Sequence, residues 1–319
     1  MKILKGHIAV VTGGGSGMGR ELCIALAKKG VSVAFCDLNQ ESIEETIAIL
    51  SNVSSDENAK FFGTKCDVRF PDTCKNFAED VSKAFNTTHV NLVFNNAGLG
   101  GFPNIFKKKD DALFDFILDV DLHGVINITR AFIDLLANSD KGALINTASV
   151  CGFHASAGTA YSVAKFAVKG FSEGLIKDFQ DNAPHLNVHC VMPGFVSTNI
   201  DRLSAVQGYT VQKGRPPTEQ LVNRWKGKTG QNNPDNVRIG LPAPDAAKII
   251  LNGVENDQWA ILVGDDAVAL DKGIRSLPLG AAYPLGKLSK AGNISTKIAK
   301  LGDPTYYVGR QSQLKKSNL

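Results

Sequence analysis

Seven short runs of this chain are mostly apolar: Ile8 to Val11, Val31 to Cys36, Phe61 to Cys66, Val90 to Phe94, Ala143 to Thr147, Asn187 to Met192 and Ala260 to Val263. A strand with alternating polarity can keep one face in water. A strand that is apolar throughout must be buried on both faces, the condition of a parallel sheet covered by helices. The intervening stretches keep helical spacing, as in Met18, Leu22, Ala25 and Leu26, and again in Ala160, Ala164, Ala167, Val168, Phe171 and Leu175. The alternation predicts right-handed β-α-β crossovers. The expected fold is α/β and doubly wound, with a mostly parallel seven-stranded sheet of Rossmann type and helices on both faces. Ligands of such folds bind at the carboxyl ends of the strands.

The alternation stops near residue 265 of 319, which predicts one domain over 1–265 and a C-terminal extension over 266–319. With 43% hydrophobic and 21% charged residues the chain can bury a full core, so disorder and collagen are excluded. The net charge of +4 is unevenly placed: residues 266–319 hold nine basic and three acidic side chains, leaving 1–265 at −2. The body is therefore not expected to bind nucleic acid. In the extension, Ile294, Ile298 and Leu301 beside Lys297 and Lys300 permit a short basic amphipathic helix, expected to pack on the body or a neighbouring subunit rather than on a membrane.

No apolar run approaches the roughly 18 residues of a transmembrane helix, and Met1 to Gly6 has no signal-peptide character, so a cytoplasmic protein without a transmembrane segment is expected. The final Ser317-Asn318-Leu319 resembles the peroxisomal Ser-Lys-Leu address without its central cation and marks the lesser alternative. Cys23, Cys36, Cys66, Cys74, Cys151 and Cys190 form no C-x-x-C pair and no metal-ligand spacing; they read as reduced, buried thiols, and no metal is expected.

The first strand runs into Thr12-Gly13-Gly14-Gly15-Ser16-Gly17-Met18-Gly19, with a helical pattern directly behind it. Glycines in a strand-to-helix turn let a pyrophosphate approach the free N–H groups of the helix N-terminus. About twenty residues on, Asp37 closes the second strand, where a carboxylate accepts from the ribose hydroxyls and repels a 2′-phosphate. Leu38 and Ser16 supply no cation to offset it, so the spacing predicts NAD rather than NADP. A second constellation is Tyr161-Ser162-Val163-Ala164-Lys165, on a helix that follows Ser149 by 12 residues. A spacing of four puts the phenol and the ammonium on one helical face. The cation is expected to lower the phenol's pKa toward use as an acid/base, with the Ser149 hydroxyl holding the reacting oxygen.

With these motifs in this order, residues 1 to about 265 resemble the classical short-chain dehydrogenase/reductase family. The cofactor turn matches Thr12-Gly13-x3-Gly17-x-Gly19, and Asp37 matches the acidic residue of the NAD-type members. Cys66-Asp67-Val68 matches the segment where an aspartate meets adenine, and Asn95-Asn96-Ala97-Gly98 the sheet-stabilising N-N-A-G. Pro193-Gly194-Phe195-Val196-Ser197-Thr198 matches the segment that meets the nicotinamide carboxamide. The resemblance implies Ser149, Tyr161 and Lys165 as catalytic residues, Lys165 also binding the nicotinamide ribose. It implies a cofactor site of Thr12, Gly13, Ser16, Gly17, Met18, Gly19, Asp37, Asp67, Val68, Asn95, Ala97, Gly98, Tyr161, Lys165, Pro193, Gly194, Val196 and Thr198. It also implies a homodimer or homotetramer, formed through the helical region from Asp111 to Leu136 and the helix bearing Tyr161; there Phe166, Val168 and Phe171 offer apolar surface, although some must face the sheet.

One position departs from the family. Val120-Asp121-Leu122-His123-Gly124 places Asp121 where the family has the asparagine of V-N-x-x-G, its fourth catalytic residue. There the resemblance implies a backbone carbonyl in a proton relay, which survives the change of side chain. The helix distortion and the pH dependence are the properties exposed to it. His123 reads as structural, while Cys151 and His154, with Phe153, are candidate substrate-pocket wall alongside Ser149 and Tyr161.

Residues 199–240 are expected to form a substrate lid, with Leu203, Val206, Tyr209, Leu221 and Trp225 as apolar cover and Arg202, Lys213, Arg215, Arg224, Lys226 and Lys228 as cations that could meet an anionic end. The expected reaction is NAD-dependent interconversion of a hydrophobic secondary alcohol, steroid-like or lipid-like, and its ketone, with alcohol oxidation the favoured direction. The alternatives are an NAD(P)H-dependent carbonyl reductase and a non-catalytic NAD-binding sensor or scaffold.

Overall fold

All seven apolar runs become strands of one parallel sheet. In the computed structural model, which describes residues 1–155, 158–226 and 240–275, they are β1 (Ile8–Thr12), β2 (Ser32–Asp37), β3 (Phe61–Lys65), β4 (Leu92–Asn95), β5 (Gly142–Thr147), β6 (Leu186–Pro193) and β9 (Ala260–Val263). The order is β3-β2-β1-β4-β5-β6-β9, with every neighbour parallel. The order reverses between β1 and β4, paired through Ala9↔Leu92 and Val11↔Phe94. The carboxyl ends of these two strands therefore border the crevice at the topological switch point.

The strands bury both faces by sending alternate side chains to two cores. Ala9, Val11, Val33, Phe35, Phe94 and Ile145 enter one cluster with Leu22 and Leu26 of α1 (Gly17–Ala27), Ile43 and Leu50 of α2 (Gln40–Val53), and Ile250 and Val254 of α9 (Ala243–Glu255). Val10, Ala34, Val93 and Leu144 enter the other, with Phe77 and Val81 of α3 (Pro71–Phe85), Ile128 and Phe132 of α5 (Gly124–Ala137) and Phe179 of α6 (Thr159–Asn182). Phe77 and Phe132 meet edge to face, their ring centroids 5.3 Å apart. Val168 lies fully inside, packed toward β6, so of the three residues expected to offer apolar surface on α6 only Phe166 is well exposed. Helix packing turns the residue two positions further round toward the sheet.

A polar chain crosses the sheet within this core. Asn95 Nδ2 donates to Thr129 Oγ1 (3.0 Å) and Asn146 Oδ1 (2.8 Å), and Asn146 Nδ2 donates to Ser172 Oγ (3.0 Å). It ties β4 and β5 to α5 and α6, and so holds the two elements behind the carboxyl edge in register.

Between β6 and β9 lie β7 (Val196–Ser197), α7 (Ile200–Lys213), α8 (Glu219–Lys226) and β8 (Leu241–Pro242), with β7 and β8 forming a two-stranded parallel pair. Among its described residues the predicted lid, 199–240, thus contains two helices, with the β7 and β8 pair bracketing it. Its Arg224, Trp225, Lys226 and Lys228 lie outside what is described of side chains. The boundary expected at residue 265 falls at the first residue of α10 (Asp265–Arg275), which buries Ala267 and Leu270. The candidate tail helix of Ile294, Ile298 and Leu301, and the terminal Ser317-Asn318-Leu319, lie outside the described residues. Among the described residues no helix is long and apolar enough to cross a membrane.

Candidate active site

At the end of β1 the chain turns sharply enough that Gly17 adopts φ +53, a left-handed backbone that favours glycine. At Gly19 a side chain would press into the Gly13 carbonyl oxygen and come within 2.6 Å of Asn96 Nδ2. The first turn of α1 therefore lies directly against the β4 end, and its N–H groups start from Gly17 with no acidic side chain among them. Thr12 pins the turn from below: its hydroxyl donates to Phe94 O (3.4 Å) and accepts from Asn96 N (3.0 Å) and Ala97 N (2.9 Å).

Asp37 reaches back to this turn. Its carboxylate accepts from Gly15 N (3.0 Å), Leu38 N (2.8 Å) and Asn39 N (3.2 Å). A cation that the residues flanking Asp37 in sequence did not reveal is also present: Arg20 donates to Gly15 O (2.5 Å) and pairs with Glu45 (2.6 Å). Glu45 balances that charge beside the turn.

The Asp67 carboxylate is gripped by the guanidinium two residues along, with Arg69 Nε 2.9 Å from Oδ1 and Nη2 2.5 Å from Oδ2. Arg69 in turn lies over the rings of Phe70 (4.9 Å) and Phe116 (4.5 Å). Asn127 Nδ2 holds the carbonyls of Val68 (3.0 Å) and Arg69 (3.1 Å). Neither Arg69 nor Asn127 carried a sequence signal.

Asn95 belongs to another layer. It is 1% exposed and its amide nitrogen is used by Thr129 and Asn146, so its side chain supports the sheet rather than reaching the carboxyl edge; Ala97 and Gly98 carry the segment on to that edge.

On the far side of the turn, Gly194 follows Pro193 with no room for a side chain, because Asp266 lies against it and accepts from Phe195 N (2.7 Å). Val196 is fixed by pairing with Leu241, and a side chain at Gly17 would stand 3.2 Å from Thr198. Gly17 and Thr198 therefore lie against each other, while Met18 packs on the core beneath. Asp266 was invisible to sequence reasoning because it lies 71 residues from Phe195.

Ser149, Tyr161 and Lys165 come together beyond the end of β5. Ser149 caps a short 3-10 turn, its hydroxyl accepting from Cys151 N (3.1 Å), and it also hydrogen-bonds Tyr161. Lys165 Nζ stands 5.4 Å from the centroid of the Tyr161 ring and donates to Thr147 O (3.2 Å). The Tyr161 ring packs against Leu99, Phe116, Ile117 and Ala160, a cluster that Val211 of α7 joins from the lid region. Ser204 accepts from Gly100 N (2.8 Å), so α7 is fastened to the segment beyond β4. Cys151 and His154 are buried, not spread along an open wall. Burial lowers the His154 pKa and favours its neutral form.

The phenol differs from expectation. Its pKa is raised, first by burial and next by the charge of Asp121, with the Ser149 hydrogen bond opposing. The charge part of that displacement comes from the departure noted above. Asp121 sits in a widened helical turn, Asp119–His123, between α4 (Asp111–Leu118) and α5, so the helix distortion persists with the acidic residue in place. Asp121 is fully buried, and its Oδ2 lies 3.4 Å from Lys165 Nζ, which is itself 3% exposed. The cation expected to act on the phenol thus has a carboxylate beside it. His123, by contrast, is at the surface, 3.1 Å from Asp119.

Residues 7–206 match the short chain dehydrogenase family. A putative oxidoreductase SadH of Mycobacterium tuberculosis is 31% identical over 285 residues, covering 89% of this chain and 94% of that protein. A 3beta-hydroxysteroid dehydrogenase 2 of Eggerthella lenta is 30% identical over 200 residues, covering 62% and 74%. The crystal structure of a short chain dehydrogenase/reductase from Burkholderia phymatum, in complex with NAD, superposes with a TM-score of 0.71 at 24% identity, over 86% of this chain and 96% of that one. With its parallel sheet, its glycine-rich turn and this match along most of its length, the chain belongs to the short-chain dehydrogenase/reductase family, enzymes that act on CH–OH groups with a nicotinamide cofactor.

Proposed function

We propose that this enzyme uses NAD to interconvert a hydrophobic secondary alcohol, steroid-like or lipid-like, and its ketone, with Tyr161 as the acid/base. The observation that carries the reading is the convergence of Ser149, Tyr161 and Lys165 at the sheet edge bordered by the glycine turn. A scaffold that merely bound the cofactor would have no need of a buried lysine beside a half-buried phenol.

The residues present suit a nicotinamide dinucleotide. The turn from Gly13 to Gly19 is a cradle that side chains would fill, at the positive end of α1. Asp37 beside Gly15 places an acceptor where an adenosine ribose would lie, and its charge favours NAD over NADP. Asp67, Val68, Ala97 and Gly98 would border the adenosine half, while Pro193, Gly194, Val196 and Thr198 would border the nicotinamide half. When bound, the nicotinamide ring accepts or supplies the hydride. The Ser149 hydroxyl holds the reacting oxygen by hydrogen bond, and Tyr161 gives that oxygen a proton in carbonyl reduction or takes it in alcohol oxidation. Lys165, anchored on Thr147 O, stands beside the phenol and would bind the nicotinamide ribose.

A hydrophobic substrate is supported by apolar side chains exposed in the segments flanking the site: Phe102, Ile105 and Phe106 after β4, and Ile200 and Leu203 on α7. Phe102 abuts Gly158 at the start of the helix bearing Tyr161. The name of the 3beta-hydroxysteroid dehydrogenase relative points the same way. The raised pKa of Tyr161 favours the protonated phenol, which supports a second reading in which carbonyl reduction is the faster direction near neutral pH. We further propose a homodimer or homotetramer, for which the exposed Val163 and Phe166 on α6 offer apolar contact.

The test is a panel of steroid, lipid and short-chain alcohols and ketones, assayed with NAD(H) and NADP(H) for the native enzyme and Tyr161→Phe. Turnover of the large apolar alcohols, lost in Tyr161→Phe by a factor of about 100 or more, is expected. Activity surviving that change intact overturns the role of Tyr161, and equal turnover of small polar alcohols overturns the substrate class.

A further inference from the structure

The titratable groups around Tyr161 come from four parts of the chain, and of them Asp201 is exposed. Tyr161 and Lys165 belong to α6, and Asp121 comes from the widened turn before α5. Cys151 and His154 come from the segment after β5, and Asp201 stands at the start of α7. Asp119 and His123 are paired with one another at the surface. Of these groups, Lys165 and Asp121 form the ion pair buried at the site, at 3.4 Å.

The position of Asp121 is well determined. Its Oδ1 accepts from Leu99 N at 2.8 Å, which orients Oδ2 to the lysine. The contact to Lys165 is ionic rather than a well-aligned hydrogen bond, since Oδ2 lacks a hydrogen-bond partner. A side chain at Gly98 would stand 3.3 Å from both Asp121 Oδ1 and Lys165 Nζ, so the segment beyond β4 closes over the pair. Lys165 therefore lies between a fixed carboxylate and the Tyr161 ring, and in so enclosed a space solvent screens the pair weakly.

We propose that Asp121 is a positioning residue that sets the working protonation state of the site: by neutralising Lys165 it keeps the proton on Tyr161 up to more alkaline pH than a neutral amide would, biasing the enzyme toward proton donation. With Asp121 charged, the Asp121, Lys165 and Tyr161 set is neutral when the phenol holds its proton. Losing the proton gives a net buried anion, which burial disfavours. With an amide at position 121 the same loss leaves a neutral pair of phenolate and ammonium. The direction of the phenol's displacement, with Asp121 the largest charge contribution, agrees. Burial raises the Asp121 carboxyl as well, opposed by Lys165 and Leu99 N–H, so the pair shares its charge only while both partners remain.

The inference rests on Tyr161 as the acid/base, and the experiment separates the two. Asp121→Asn, Asp121→Glu and Tyr161→Phe are made in the full chain. The pH profile of kcat/KM is recorded with NAD and NADH on the alcohol and ketone turned over best in the panel above. In Asp121→Asn the oxidation profile is expected to move to lower pH by about one unit or more, raising the rate at neutral pH about tenfold relative to its own alkaline plateau, while reduction begins to fail at lower pH. Asp121→Glu, which keeps the charge, holds the native profile. Ultraviolet difference titration at 295 nm, with Tyr161→Phe as background, follows phenolate formation without substrate and moves in the same direction. Should the asparagine variant not fold, Asp121→Ser removes the same charge with a smaller side chain. Unmoved profiles and an unmoved titration in the folded neutral variant, with Tyr161→Phe inactive, overturn the role of Asp121 alone. Activity retained in Tyr161→Phe overturns the reading beneath it.

Discussion

Asp37→Asn isolates the charge by which the enzyme is proposed to choose its cofactor. The substitution keeps the shape and one acceptor oxygen for the N–H groups of Gly15, Leu38 and Asn39, which now lie 3.0, 2.8 and 3.2 Å from the carboxylate, and removes the anion. Two unit charges about 4 Å apart interact by about 4 kcal/mol at an effective dielectric of 20. Asp37 is half-buried, so solvent and salt leave roughly half of that, about 2 kcal/mol for each phosphate charge, or a factor of about 30 in affinity. NAD loses a charged acceptor for its ribose hydroxyls, which costs about 1 to 2 kcal/mol, or about tenfold. Counting a single phosphate charge, the ratio of the NADP and NAD dissociation constants is thus expected to fall by at least about 300-fold, read by calorimetric titration of each cofactor at 25 °C. Repeating the titration in 0.5 M salt should shrink the NADP gain, because the repulsion removed is screened. Refutation is clear-cut: if NAD binding weakens while NADP binding stays as it was, Asp37 holds the turn and does not select the cofactor.

Two further predictions concern the support beneath the site. Asn95→Ala leaves Asn146 Oδ1 and Thr129 without their buried donor and should cost about 2 to 3 kcal/mol, seen as a lowered midpoint in urea denaturation; an unchanged midpoint would mean the polar chain through the sheet is energetically idle. Gly19→Ala drives a methyl group into the Gly13 carbonyl and Asn96, and should reduce affinity for NAD by at least about 100-fold while the far-ultraviolet circular dichroism stays native. Native affinity in that variant would show that the first turn of α1 has slack that the structure does not display.

Much of this was legible beforehand for a physical reason. Burial on both faces of a parallel strand writes itself into consecutive apolar residues, so the inner strands could be read off, Val33 and Phe94 no less than Ile261, while the half-exposed edge strand β3 showed itself by Phe61 and Phe62. The glycine turn, Asp37, and Ser149 with Tyr161 and Lys165 were legible as spacings, since each set lies within a strand, turn and helix that are contiguous in sequence. What escaped notice has no period in the sequence. Arg69 closes on Asp67 through a tight local fold, Asn127 on Val68 through a helix about sixty residues away, and Asp266 on Phe195 across 71 residues. The short β7 and β8 pair has two residues on each side, too few for any alternation.

Asp121 shows the division most plainly. The sequence alone determined that a carboxylate stands where an amide is usual, that a lysine and a tyrosine share a helical face, and that the sheet brings them to its carboxyl edge. Only the tertiary structure decided which way the charges act. Asp121 and Lys165 reach each other through the widened turn and the segment beyond β4, at 3.4 Å in a space from which water is excluded. Electrostatic sign and strength follow distance and burial, which depend on the packing of elements distant in the chain, and no local pattern encodes them.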